Sequence, residues 1–165
     1  MRRSTFSIAL LSCALLASTG CRQPDGQPPQ LVEDMPNRIY DMGRDLLAVA
    51  SGDASGPRDF AEDLRSFAVS PAAADAADTL AARISDAVKG QKLTDQAAQQ
   101  IAHTGWTIAA GRDLSDRQAK SAQDELRNQL TTLGSTPVTV DAAVAAAEAT
   151  HAAVTARPRR WYELF

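Results

Sequence analysis

Few residues of this chain could act on a bound molecule, and their spacing narrows what they could do. There are two histidines, His103 and His151, and two cysteines, Cys13 and Cys21. Glu148-Ala149-Thr150-His151 has Glu-x-x-His spacing, which puts a carboxylate and an imidazole on one face of a helix. His103 shares the polar side of its segment with Gln96, Gln99, Gln100 and Thr107, a pattern that reads as solvated surface. Asp41/Asp45, Glu62/Asp63 and Asp124/Glu125 are acidic pairs among arginines, and they read as polar helix faces with small i,i+4 contributions. The chain has no Gly-x-Ser-x-Gly, P-loop or Gly-x-Gly-x-x-Gly motif, so the usual signatures of nucleophilic and phosphate-handling sites are missing. These residues predict a protein that is not an enzyme.

Two assignments for His151 go beyond a partly buried ring satisfied by backbone or water. Its spacing from Glu148 resembles the motif of carboxylate-bridged di-metal bundles. Such sites need a second pair, and the nearest analogue, Gln100-Ile101-Ala102-His103, carries an amide in place of the acid. A haem held between Met42 and His151 would resemble bundle cytochromes. The prediction is no metal and no cofactor, with Glu148 and His151 the only candidate ligands.

The elements that must position these residues follow from local signals. Met1 to Gly20 has a positive start at Arg2 and Arg3, an apolar run from Phe6 to Ala17 and small residues before Cys21. A run this short is a signal h-region rather than a membrane span. The segment resembles a bacterial lipoprotein signal, with Ser18 standing where that family prefers Leu. The resemblance implies cleavage before Cys21, a covalent lipid on Cys21 and an extracytoplasmic, membrane-anchored position in the cell envelope. It also implies the outer membrane in a cell with two, because Arg22 rather than Asp follows the cysteine. With Cys13 discarded and Cys21 acylated, the remainder has no thiol for a disulfide, a nucleophile or a metal. Loss of Arg2 and Arg3 takes the basic residues from 17 to 15 against 20 acidic ones, and the formal charge from −3 to −5. No basic field collects phosphates, so nucleic acid is excluded as a partner.

Residues 21–36 are Gln/Pro-rich and read as a flexible tether. Residues 37–157 read as an all-α bundle of about four long and two short helices. Asn37 is the expected cap of the first helix, striped by Ile39, Met42, Leu46 and Val49. Pro57 opens a second, with Phe60, Leu64, Phe67 and Ala68 on its face. Ser70-Pro71 starts a third (Ala73, Ala77, Leu80, Ile84, Val88) that ends at Gly90. Thr94 caps a fourth (Ala98, Ile101, Gly105, Ile108). Ser115 and Gln118 form a capping box for a fifth (Ala119, Ala122, Leu126, Leu130, Leu133) that ends at Gly134. Thr139 opens the last (Val140, Val144, Ala147, His151, Val154), and Pro158 forbids its continuation. Pro137 to Val140 comes nearest to a strand and is too short for one. Alanine is abundant and aromatics are 5% of the chain, so the core needs close helix approach. Its modest stability is expected to be supported by self-association or an envelope protein partner.

Gly90-Gln91-Lys92-Leu93-Thr94-Asp95 and Gly111-Arg112-Asp113-Leu114-Ser115-Asp116 are alike and lie 21 residues apart, and both spell the same helix-to-helix turn. Leu114-Ser115-Asp116-Arg117-Gln118 is similar to the LTxxQ motif of periplasmic stress chaperones, which are small and all-helical. Leu93-Thr94-Asp95-Gln96-Ala97 matches except at Ala97. That resemblance implies a chaperone-like binding role. Residues 158–165 form a basic-aromatic tail. Arg159, Arg160, Trp161, Tyr162 and Phe165 are its candidate partner-binding residues, suited to headgroups or a partner pocket. The competing expectation is that Trp161, Leu164 and Phe165 fold back on the bundle.

Overall fold

The computed structural model describes residues 35–156. Among them are six helices and no strand: α1 (Met35–Ser51), α2 (Gly56–Arg65), α3 (Pro71–Val88), α4 (Asp95–Ala110), α5 (Asp116–Leu133) and α6 (Pro137–Thr155). The all-α bundle expected from the periodicity is what forms. Among the described residues no helix is long and apolar enough to cross a membrane.

Local chemistry sets most boundaries. Ser70, Thr94 and Ser115 each accept a hydrogen bond from the backbone N–H three residues on, which satisfies a donor the helix start leaves free. Ser115 and Gln118 bond reciprocally as a capping box. Gly134 closes α5 in the left-handed region at φ 94°, where a Cβ is unfavourable. Three boundaries differ from expectation. Asn37 lies inside α1, which is already helical at Met35, so the folded region starts earlier than residue 37. α1 has 17 residues and is a full-length helix, which leaves α2, with 10, as the short one. α6 is capped by Thr136, whose side chain accepts from the N–H of Thr139, and Pro137 occupies its first position. The segment nearest to a strand is therefore the first turn of α6. Phe67 lies just beyond the end of α2 and still packs against the core.

α3 and α6 make the most extensive pairing. The pairing is built from small residues: Ala73, Ala77 and Ala81 on α3, with Ala143, Ala146 and Ala147 on α6, are all buried. The Thr150 hydroxyl donates to the Ala76 carbonyl at 3.1 Å, and Ser135 donates to the Ala87 carbonyl at 2.7 Å. These two bonds fix α6 antiparallel to α3. The larger core residues Phe60, Leu64, Leu80, Ile84, Ile101, Leu126 and Leu130 are essentially inaccessible. Burying each such side chain contributes about 1.5–3 kcal/mol, far more than an alanine does. The turn after α3 is tied back to α1, with the Gly90 N–H donating to the Ala50 carbonyl at 3.2 Å.

Candidate functional site

α4 packs against both α1 and α5, while among the described residues α1 and α5 do not pack on each other. The outer face of α4 is therefore the floor of a trough. Three adjoining hollows of about 390, 410 and 450 Å³ follow it. Glu125 of α5 lines all three; Gln100 and Gln129 line two, and His103 and Thr104 line two. Ile39 contributes the α1 wall. The Gln129 amide spans the floor, donating to Thr104 Oγ1 at 3.1 Å and to Glu125 Oε1 at 2.9 Å. The lining mixes amides and hydroxyls, which both donate and accept, with the Glu125 carboxylate and apolar Ile101, Leu114 and Leu133.

The residue pattern puts His103, Gln96, Gln99 and Gln100 on a polar face; that α5 brings Glu125 and Gln129 to the same place is set by helix packing and leaves no signal along either helix. The His103 ring is exposed and lies tilted against Trp106, with centroids 5.6 Å apart. Trp106 meets the edge of Phe67 at 6.3 Å, and its indole N–H is buried without a partner.

His151 is partly buried on α6. Its Nε2 faces Asp116 at 3.7 Å, and its Nδ1 is buried without a partner. Glu148, one turn earlier, is exposed. Among the described residues no group of three or more His, Cys, Asp or Glu side chains is arranged to hold a metal ion. Met42 is fully buried on α1, and among the described residues α1 and α6 are not packed together. Leu93-Thr94-Asp95 and Leu114-Ser115-Asp116 both serve as helix starts. Cys21, Arg159, Arg160, Trp161, Tyr162 and Phe165 lie outside the described residues, as do residues 1–34 of the leader and tether.

The acidic pairs of α1 and α2, read separately in sequence, come together across the α1–α2 interface. Partial burial, reinforced by Asp63, Asp59 and Asp41 and opposed by Arg44, pushes the Asp45 carboxyl from 3.8 up to about 6. Burial likewise raises Asp63, against the pull of Arg38. The consequence for stability has a definite sign. Between about 4 and 6 the folded chain holds a proton on Asp45 that the unfolded chain has lost, so Asp45 costs stability progressively as pH rises through that window. Asp45→Asn should therefore raise the pH 7 melting temperature and leave the pH 4 value unchanged. Solvent screening at this half-buried site limits the gain to about 1 kcal/mol, or roughly 3 °C. Thermal melts at the two pH values measure it, and a variant no more stable than wild type at pH 7 contradicts the account.

Comparison with protein-family models, with curated proteins and with solved structures gives no match.

Proposed function

We propose that this chain is a lipid-anchored protein of the cell envelope whose helical domain is a binding or scaffolding module rather than a catalyst. The observation that carries the reading is the leader: Arg2 and Arg3, the apolar run to Ala17, then small residues ending at Cys21. Acylation of Cys21 would hold the chain on the extracytoplasmic side, and in a cell with two membranes Arg22 favours the outer one. The trough over α4 supports the binding half of the reading, since it gathers Gln100, Glu125 and Gln129 on an open face. The partner it suits is a polar segment of another envelope protein, held by hydrogen bonds to side-chain amides.

Two measurements test the two halves. Labelled palmitate should enter the wild-type protein, whereas Cys21→Ser should take up none and persist as the unprocessed precursor. Equal labelling of both, or processing of the variant, contradicts the anchor. A photo-crosslinking residue at Gln100 should give a discrete adduct in intact envelopes, and the same residue at exposed Arg83 on α3 should not. Identical adducts from both positions would remove the trough as the binding surface.

A further inference from the structure

Two acceptors in the trough over α4 have no matching donor. The first is the Gln129 side-chain oxygen. The Thr104 hydroxyl gives its hydrogen to the Gln100 carbonyl at 3.0 Å, and a carboxylate has none to give. Both partners of the Gln129 amide, Thr104 Oγ1 at 3.1 Å and Glu125 Oε1 at 2.9 Å, are therefore acceptors, which fixes its nitrogen on their side. Gln129 Oε1 points the other way, buried and without a partner among the described residues. Native proteins rarely leave a buried acceptor in that state. The last torsion of a glutamine is soft, so a donor entering either hollow that Gln129 lines draws this oxygen to it.

The second is Glu125. One of its oxygens takes the Gln129 bond, and the carboxylate makes no ion pair among the described residues. Two cations of its own helix are engaged elsewhere, Lys120 with Asp124 at 3.3 Å and Arg127 with Asp141 at 2.6 Å. Lys92 lines the first hollow with Glu125 and does not pair with it. The third hollow, of about 450 Å³, is lined by Glu125 and Gln129 and by no lysine or arginine. A negative charge and an unmatched amide oxygen thus share one open space.

We propose that this third hollow receives the guanidinium of an arginine carried by the partner segment. The proposal rests on the reading of the trough as a partner surface, and adds the chemistry that the partner must present. A guanidinium is a charged planar fork of N–H donors with no acceptor. It gives one N–H to the free oxygen of Glu125 and another to Gln129 Oε1, and asks for no donor in return. An ammonium matches the charge but is the more strongly hydrated cation, so it gives up more on leaving water. Ile39 on the α1 wall offers apolar surface to the arginine stem. Gln96, Gln99 and Gln100 beside it suit the backbone of the same segment, since amides both donate and accept.

The test is an NMR titration of isotope-labelled residues 22–165, which keep every buried core residue from Met42 to Val154. The probe is Nα-acetyl-arginine amide, and Nα-acetyl-citrulline amide is its neutral isostere. The arginine probe should shift the Gln129 side-chain N–H signals saturably in the millimolar range. The citrulline probe should shift them about fivefold less at the same concentration, because its hydrogen bonds lack the charge. Glu125→Gln keeps an acceptor for Gln129 and removes the charge, so it should weaken the arginine probe about threefold to fivefold, the worth of an exposed ion pair. Glu148→Gln, exposed on α6, should leave the affinity unchanged. Equal shifts from citrulline overturn the proposal, as do unchanged affinity in Glu125→Gln and no shift at all. So does tighter binding of Nα-acetyl-lysine amide, which would make the hollow an ammonium site. In intact envelopes the adduct formed from Gln100 should fall about threefold in Glu125→Gln. Absence of any such adduct in wild type would overturn the partner reading, and with it the source of the arginine, while the titration still decides the cation site.

Discussion

Phe60→Ala should remove most of the stability of the domain. Phe60 is the largest fully buried side chain of the described region. It belongs to α2, which has 10 residues and is held to the bundle mainly through Phe60 and Leu64. Ten residues are too few for a helix to persist without tertiary packing. Truncating a buried Phe costs about 3–5 kcal/mol through lost transfer energy and the cavity left behind. A domain of this size holds about 5–15 kcal/mol in total, and a core with this much alanine belongs at the lower end. The exposed Val138, 79% accessible, serves as the control, since Val138→Ala should change stability by less than about 0.5 kcal/mol. Denaturant titrations followed by circular dichroism measure both. A Phe60→Ala midpoint within about 1 kcal/mol of wild type would contradict the packing described above.

Gly56→Ala should destabilise, against the usual rule. In most helices replacing Gly by Ala gains about 0.5–1 kcal/mol, because the backbone loses less freedom on folding. At Gly56 a Cβ would sit 2.7 Å from the Val49 backbone nitrogen and 2.9 Å from the Asp45 carbonyl oxygen. Those atoms belong to one turn of α1, so neither can move aside without opening that helix. The start of α2 would have to withdraw, at a cost of about 1–3 kcal/mol. Gly105 supplies the opposite sign within the same protein. A Cβ there would meet only Ile84 Cδ1 at 3.4 Å and Leu64 Cδ1 at 3.9 Å, which is ordinary contact. Gly105→Ala should therefore stabilise by a few tenths to about 1 kcal/mol. Paired thermal melts decide the matter, and variants shifted in the same direction would contradict the α1–α2 geometry.

What could be read from the residues in advance was what depends on near neighbours. Ser70-Pro71, Thr94, Ser115 with Gln118, and Gly134 each act within one helical turn, and each ends or begins the helix expected of it. The stripe Ala73, Ala77, Leu80, Ile84 and Val88 is buried throughout. Thr136-Pro137 repeats the signal of Ser70-Pro71, but β-branched Val138 and Thr139 pull local preference away from helix, and the expected start at Thr139 lies three residues past the actual cap, Thr136. Phe67 sits on the face defined by Phe60 and Leu64, yet α2 ends at Arg65 and Phe67 reaches the core from the following turn, against Trp106. His151 occupies a stripe position with its side chain 13% exposed, as a partly buried ring should be, but its facing Asp116 at the start of α5 depends on helix packing. The trough over α4 and the joining of the Asp45 and Asp63 groups were not legible at all. Each depends on which helices become neighbours, and periodicity along one helix carries no information about that.

The proposed anchor on Cys21 is the claim from which the proposed envelope position and the role of the tether follow. Intact-mass and N-terminal peptide mass spectrometry on protein purified from its native membranes tests it most directly. The account predicts a chain that starts at Cys21 and carries fatty acyl groups on that residue. A chain that retains the first twenty residues, or one that starts at an unmodified residue, would contradict it.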